Sequence, residues 1–543
     1  MTGKYQYMNH QRGNHMKMDA ISRCLFLKRV GASALAYSTG AGAPDMVAKQ
    51  RQTDSNKAFS ATRNRQAAIR AQRYASCAIK TLSRDMRILR CAFCLLVFLG
   101  TISPVSQAQL ATTPPMGWNS WDSYGLTITG SQFKQNVNWL HAHLQSYGWK
   151  YVVIDEGWYL AHPENAGVKG ADQGYTMDAY GRYTPAIDRF PSAANERGFQ
   201  PLAAYVHSLG LKFGIHIIRG IPRQAVERNL LIAGSNYYAA DAADTSDVCY
   251  WCSGGSATQP SRKYYWNSDN YGVRNNAAGQ AYYDSLVRLY ASWGVDFIKV
   301  DCIASPYRAE QIRMIHLALK KTRRRIVLSL SPGPTSISEA YEVRKYAQIW
   351  RISNDLIDSW SPKGLSPGLK GQFSTLAEWA PYVEIGHWPD ADMLPLGSLY
   401  PPSKPRQTMF TPDEQRTMIT LWSIARSPLI LGANLTKMDS ATEALLTNRE
   451  VIAVDQHSTD NKAVIHTPES WVWTARATSA KGEYVALFNV SDRPLTMEYT
   501  WHDIGLAAGK HRAHDLWLHN NSDGMSGLKV TLRPHASMIY RVE

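Results

Sequence analysis

The sequence has little of what would set it apart from ordinary globular proteins. Its 543 residues include only seven cysteines, and 19% of them are charged against 44% that are hydrophobic. This balance excludes a disordered chain, and the absence of a Gly-X-Y or heptad repeat excludes a fibre. No apolar run approaches the length of about 20 residues that a membrane-spanning helix needs.

An excess of positive charge is found only at the N-terminus. The formal net charge is +15, but residues 1–108 contain 17 Lys and Arg against 4 Asp and Glu, a net charge of +13. Residues 109–543 therefore carry a net charge of only +2. This part of the chain is nearly neutral and has no charge excess with which to bind a polyanion. Nucleic acid is therefore not expected as a partner.

A secretory signal peptide is predicted at residues 86–108. Met86 opens a short basic segment, Cys91–Ile102 is an uncharged run, and Ser106-Gln107-Ala108 places small residues at the −3 and −1 positions of a cleavage site. A signal peptide acts only at an N-terminus, so we interpret residues 1–85 as a mis-called or disordered basic extension. The alternative is a basic arm that binds nucleic acid or a membrane. We expect the mature protein to be secreted or periplasmic, without membrane contact after cleavage.

Three cysteines remain beyond this segment: Cys249, Cys252 and Cys302. An odd number in an exported protein indicates one disulfide and one free thiol. A zinc site would need four suitably spaced ligands, and the sequence has no second Cys pair to complete one. We predict a bridge from Cys302 to either Cys249 or Cys252.

Residues 109–454 alternate between short apolar runs and longer amphipathic stretches. The predicted strands are Tyr151–Asp155, Lys212–His216, Asp296–Asp301, Ile326–Ser331, Gln348–Ile352 and Leu429–Leu431, and the predicted helices include Gln132–Tyr147, Gly279–Trp293 and Ala309–Lys321. This alternation is typical of parallel strands joined by right-handed crossovers. The length favours an α/β fold of the (β/α)8 TIM-barrel type.

The pattern changes after residue 455. Trp471–Thr474, Glu483–Asn489, Leu495–Trp501, Leu528–Leu532 and Ser537–Val542 alternate with period two and are separated by polar turns. Such segments predict a C-terminal antiparallel β-sandwich over residues 455–543, behind a barrel over residues 109–454.

Polar side chains stand where the predicted barrel strands end. They are Asp155 and Glu156, His216, Lys299 and Asp301, Ser331, and Arg351 with Asp355. All strands of a parallel barrel open on one face, so these side chains are expected to converge on one pocket. Any one of them could instead be a helix cap, but stability alone does not explain five polar strand ends on the same rim.

Aromatic residues are interleaved with these polar groups: Trp118, Trp121, Trp158, Tyr159, Trp360 and Trp388. The flat face of a pyranose stacks on indole, and its hydroxyls need carboxylate, Lys and Arg partners. The combination therefore suggests a sugar, although several of these rings could equally fill the barrel core.

Five motifs carry a family resemblance. They are Pro115–Trp121, Val153–Trp158, Lys299–Cys302, Arg351–Asp355 with Ser359-Trp360, and Asp390–Leu394. In this order they resemble the α-galactosidase (melibiase) family, glycoside hydrolase family 27. Ser427–Ile430 and Val451–Gln456 match the end of that family's barrel.

The resemblance implies a retaining exo-glycosidase. By position, Asp301 would be the nucleophile and Asp355 the general acid/base. The residues implied to bind substrate are Trp121, Asp155, Glu156, His216, Lys299, Ser331, Arg351 and Asp392. The implied mechanism needs no metal or cofactor, and the implied partner is a galactosyl- or arabinopyranosyl-containing oligosaccharide or polysaccharide.

One departure from the family pattern bears on specificity. The family's usual pair after the second strand is Asp-Asp, and this chain has Asp155-Glu156. The added methylene could fill the space of the C6 hydroxymethyl group of galactose, and β-L-arabinopyranose is α-D-galactose without that group. α-Galactosidase is the expected principal activity. β-L-Arabinopyranosidase, isomaltose release from dextran and a non-catalytic glycan-binding barrel stay open.

Overall fold

The computed structural model describes residues 109–166, 172–249, 269–400 and 404–543. The predicted signal peptide, the extension 1–85 and Cys252 lie outside these residues. In the described ranges, no helix is long and apolar enough to span a bilayer.

The strands of the first part of the chain are short. They are β1 Met116–Asn119, β2 Tyr151–Ile154, β3 Lys212–Ile218, β4 Ile221–Pro222, β5 Ala243–Val248, β6 Asn270–Val273, β7 Phe297–Asp301, β8 Val327–Leu330, β9 Ile349–Arg351, β10 Trp388–Asp390, β11 Ser398–Leu399, β12 Arg406–Gln407 and β13 Leu429–Leu431. Eight of them form one parallel sheet in the order β10-β9-β8-β7-β3-β2-β1-β13. Leu394, beyond β10, bridges to Leu431 of β13 and so links the two ends of that order. The predicted TIM barrel is confirmed.

The helices of the barrel follow its strands. They are α1 Trp121–Tyr124, α2 Gly130–His143, α3 Gln200–Ser208, α4 Arg223–Glu227, α5 Ala239–Ala242, α6 Ala277–Ser292, α7 Ala309–Lys321, α8 Ala340–Tyr346, α9 Gly368–Trp379, α10 Pro412–Ala425, α11 Ser440–Leu446 and α12 Arg449–Gln456. Local chemistry sets some of their ends: Thr129 and Gln132 form a capping box at the start of α2, and Thr411 and Glu414 form another at α10.

The C-terminal part is built from two antiparallel sheets. Its strands are β14 Ser458–His466, β15 Ser470–Ala477, β16 Glu483–Asn489, β17 Leu495–Thr500, β18 His511–Asp515, β19 Asn520–Met525, β20 Gly527–Leu532 and β21 Ser537–Val542. The larger sheet has the order β14-β15-β16-β21-β18-β19, and β17 pairs with β20. Val485, Leu487, Met497 and Leu528 belong to the apolar core between them. The predicted sandwich is confirmed, and its proposed start at residue 455 stays a prediction.

The other face of the larger sheet packs on the barrel. Phe488 of β16 meets Phe373 of α9 edge-to-face, with ring centroids 5.0 Å apart. Polar contacts accompany this packing: the Thr417 hydroxyl of α10 donates to the backbone carbonyl of His535 at 2.6 Å. The Trp517 indole donates to the Thr420 hydroxyl at 3.0 Å. The sandwich thus covers helices α9 and α10 of the barrel.

Candidate active site

The barrel brings the predicted polar residues to one rim. Asp155 directly follows β2, Asp301 ends β7, Arg351 ends β9 and Asp392 lies two residues beyond β10. All four are at least 94% buried, with exposed fractions of 1%, 6%, 3% and 4% respectively. Parallel strands place their carboxyl ends on the same face, so four sequence-distant charges converge.

A buried ammonium group organises one side of the pocket. The Lys299 Nζ donates to Asp155 Oδ2 at 2.9 Å and lies 4.0 Å from Asp301 Oδ1. The Asn119 amide donates to the same Asp155 oxygen at 2.6 Å. Burial lowers the pKa of Lys299, but the two carboxylates outweigh burial and hold that pKa above its ordinary value. The ammonium is therefore charged at all physiological pH values.

Asp301 is an ionised carboxylate in a buried setting. Burial raises its pKa, but Lys299, His216 and the Ser331 hydroxyl together hold it well below the ordinary value. The Nε2 of His216, a fully buried side chain, lies 3.0 Å from Asp301 Oδ2. Burial lowers the pKa of His216, and the carboxylates of Asp155 and Asp301 raise it by more, so the net shift is upward.

Arg351 organises the opposite side. Its Nη2 lies 2.7 Å from Asp392 Oδ2 and donates to Asp355 Oδ1 at 3.2 Å. The Leu356 backbone N–H also donates to Asp392 Oδ2, at 2.7 Å. The side chain of Asp355 is 50% exposed, whereas that of Asp301 is 9% exposed. The two candidate catalytic carboxyls therefore differ in setting: one is sealed among cations, and the other opens to solvent.

Trp121 and Glu156 flank Asp155. The Trp121 backbone N–H donates to Asn119 Oδ1 at 2.9 Å, which places the start of α1 beside the site. Glu156 is 3% exposed, and its backbone N–H donates to Asp155 Oδ1 at 2.9 Å. Gly157 follows with φ +86°, and a Cβ there would meet Leu126 at 2.9 Å, so the turn that carries Glu156 requires glycine.

Two site residues were missed by sequence reasoning. Asn119 holds Asp155, as described above, and Asp122 lies beside it on α1. Burial, Asp155 and Asp355 raise the pKa of Asp122 to about 7, against the opposing effect of Lys299 and Arg351. Both residues stand in or next to the Pro115–Trp121 motif, which was the available signal.

The interleaved tryptophans are mostly core residues. Trp118, Trp158 and Trp388 are fully buried. Each indole N–H donates to a backbone carbonyl, at 2.6, 2.7 and 2.8 Å respectively. For these three rings the core-filling interpretation is correct, because their polar edges are already satisfied inside the barrel.

A disulfide lies directly behind Asp301. Cys249 is bonded to Cys302, which decides between the two predicted partners. Cys302 has a left-handed backbone at φ +63°, and its carbonyl accepts from Arg219 Nε at 2.5 Å. The bridge therefore ties the end of β7 to the segment after β5.

Comparison with known proteins supplies a family. A family model described as alpha galactosidase A matches residues 113–242 and 270–457, and one described as the alpha galactosidase C-terminal beta sandwich domain matches residues 467–542. The chain is 26% identical over 437 residues to an α-galactosidase of Oryza sativa subsp. japonica, covering 79% of this chain and 85% of that protein.

Two solved structures are more similar in sequence. A family 27 β-L-arabinopyranosidase from Geobacillus stearothermophilus is 41% identical, with a TM-score of 0.72, covering 80% of this chain and 97% of that chain. A putative α-N-acetylgalactosaminidase from Bacillus halodurans C-125 is 37% identical, with a TM-score of 0.67, covering 79% of this chain and 97% of that one.

The bridge behind Asp301 predicts a stability difference between cysteine variants. It closes a loop across 53 positions, so losing it should lower the free energy of unfolding by about 4 kcal/mol in the chain-entropy estimate. We expect this loss in Cys302→Ser and in Cys249→Ser, measured by urea unfolding. Cys252→Ser is the matched control and should unfold like the wild type. An equal loss in Cys252→Ser would contradict the Cys249 pairing.

Proposed function

The chain belongs to the α-galactosidase family, glycoside hydrolase family 27, as its motifs predicted, and from that premise we propose a retaining exo-glycosidase. It removes terminal sugars of galacto configuration, α-D-galactosyl and β-L-arabinopyranosyl groups, from an oligosaccharide or polysaccharide. The observation that carries this proposal is the pair of carboxyls in opposite settings on one rim: Asp301, buried and ionised, and Asp355, half exposed.

The two carboxyls divide the chemistry between them. Asp301 attacks the anomeric carbon as the bond to the leaving oxygen breaks, and Asp355 gives that oxygen its proton. Asp355 then takes a proton from water, and the hydroxide attacks the anomeric carbon and releases Asp301. Lys299 and His216 keep Asp301 ionised, and Arg351 holds Asp355 from the opposite side. These steps use only side chains of the protein and water.

The remaining charges bind the glycone. Asp155, Lys299, Arg351 and Asp392 present charged donors and acceptors to sugar hydroxyls, which form stronger hydrogen bonds with ionised partners than with neutral ones. Trp121 forms the wall of the glycone pocket. The pocket is pre-organised, because each charge is already held by a partner within the barrel.

Glu156 favours the smaller of the two sugars. Its side chain is buried beside Asp155. An aspartate at this position would be shorter by one methylene and would leave that space empty for the sugar. The 41% identity to an arabinopyranosidase, against 26% to the rice α-galactosidase, supports the same preference. We therefore infer that β-L-arabinopyranosides are cleaved faster than α-D-galactosides, although galactoside cleavage was the expected principal activity from the sequence.

Removal of either carboxyl should have its own kinetic signature. Asp301→Asn should abolish turnover of every substrate. Asp355→Ala should spare the first step on glycosyl fluorides, whose leaving group needs no proton, and azide should restore turnover with a product of retained configuration. Product stereochemistry by NMR and kcat on fluorides check this. Near wild-type kcat in Asp301→Asn would refute the assignment, and binding without any product would favour the non-catalytic barrel.

A paired assay decides the sugar preference. We expect kcat/KM of the protein beginning at Gln109 to be higher on p-nitrophenyl β-L-arabinopyranoside than on the α-D-galactopyranoside. Glu156→Asp should move the ratio toward the galactoside by about 10- to 200-fold, the usual effect of one methylene. Glu156→Gln keeps the side-chain length and is the control for charge. A ratio unchanged in Glu156→Asp would show that Glu156 does not set the preference.

The charge of Lys299 predicts a pH effect. The pKa of Asp301 is depressed in the folded state, so its stabilising charge is present at neutral pH and lost as pH falls through that low value. Lys299→Met removes the strongest influence that lowers this pKa. The acidic limb of kcat/KM and the acid-unfolding midpoint should both move to higher pH. Lys529→Met, which breaks an exposed 2.7 Å pair with Glu498, is the control and should move neither.

A further inference from the structure

Tyr400 is presented at the rim of the site in an unusual way. Its side chain is 52% exposed, and its backbone is left-handed at φ +72°, which costs energy for a residue other than glycine. Its backbone N–H donates to the carbonyl of Asp122 at 2.6 Å, next to Trp121. The Arg406 guanidinium stacks on the ring, 4.5 Å from its centroid.

The Arg406 side chain that stacks on Tyr400 is bound to the segment that carries Asp355. Arg406 binds the buried carboxylate of Asp358 with both terminal nitrogens, one of them at 2.7 Å. The same carboxylate accepts from the Met409 backbone N–H at 2.7 Å. Because Asp358 lies three residues beyond Asp355, Tyr400 is tied at once to the acid/base segment and to the helix of Trp121.

The chemistry of the proposed reaction indicates which part of the substrate lies near Tyr400. The glycosidic oxygen must lie within hydrogen-bond reach of Asp355 for proton transfer. The sugar on the leaving side of that oxygen therefore projects past Asp355 toward the solvent, on the open side of the pocket. Asp355 is itself half exposed, and Tyr400 and Met409 are exposed side chains. Met409 is bonded to Asp358 directly, and Tyr400 contacts the Arg406 side chain that binds Asp358.

We propose that Tyr400, held by Arg406 and Asp358, is the platform on which the first sugar of the leaving group stacks. The ligand class is a pyranose of an oligosaccharide or polysaccharide, bound through its C–H face to the ring. This proposal rests on the proposed function, since it names the leaving side of the same site. The left-handed backbone and the stacked guanidinium fix the ring before substrate arrives, which reduces the ordering cost of binding.

The test compares substrates with and without a sugar in the leaving group. The probes are 6-O-α-D-galactopyranosyl-D-glucose and α-D-galactosyl fluoride, assayed with the full-length protein. In Tyr400→Gly, which suits the left-handed backbone, the ratio of kcat/KM on the disaccharide to that on the fluoride should fall by about 2- to 13-fold, the usual worth of an aromatic contact. Most of the change should appear in KM. Tyr400→Phe keeps the ring and should retain the wild-type ratio.

Tyr341 provides a matched control. It is 73% exposed on α8, and Arg344 lies over its ring at 5.2 Å, so Tyr341→Ala removes a similar pair elsewhere on the surface. It should leave the ratio unchanged. An unchanged ratio in Tyr400→Gly, or a change of the same size in Tyr341→Ala, would overturn the platform. Hydrolysis of neither probe by the wild type would instead refute galactoside cleavage, which separates the two failures.

Discussion

The buried charge of Lys299 is the constraint around which the site is arranged. An ammonium group inside a barrel is costly unless carboxylates compensate it, and removal of one partner from such a group is strongly destabilising. Asp155 lies 2.9 Å away and Asp301 4.0 Å away. The same pairing that makes the lysine tolerable also keeps Asp301 ionised, so the stability of this rim and the readiness of the proposed nucleophile have one cause.

Arg351 is a second buried cation between two carboxylates, on the other side of the pocket, but one of its two partners is exposed to solvent. Its guanidinium is buried against Asp392, yet it reaches Asp355, which faces solvent. A buried cation can thus hold one carboxyl as a fixed ligand and leave a second free to exchange protons with water. The proposed division of labour between Asp301 and Asp355 follows from how much water each one meets.

The sandwich contributes to the site through the helices it covers. Gln372 of α9 is fully buried and donates to the Ser353 hydroxyl at 2.8 Å and to the Ala391 carbonyl at 2.9 Å. These contacts join the segments of Asp355 and Asp392. The sandwich residue His535 stacks on Trp360 with ring centroids 3.9 Å apart, five residues beyond Asp355. Packing remote from the pocket therefore supports the loop that carries Asp355, the proposed acid/base.

Strand ends were the most productive sequence signal. All six predicted barrel strands occur, because Val and Ile runs buried on both faces leave little choice of structure. β1 and β10 were not predicted, since Met-Gly-Trp-Asn and Trp-Pro-Asp contain Gly, Pro and Asn rather than β-branched residues.

Three tryptophans that suggested a sugar proved to be core residues. Composition does not say whether an indole faces a ligand or the interior.

By itself, the sequence determined the repeating strand-and-helix order, the sandwich behind it, and the set of polar residues at the strand ends, because these depend on local periodicity and on residue type. Only the tertiary structure decided which charges pair. Lys299 reaches Asp155 across 144 positions and Cys302 reaches Cys249 across 53. Asn119 and Tyr400 likewise acquire their contacts from neighbours that are distant in the chain. Such contacts depend on the closure and register of the barrel, which no local pattern encodes.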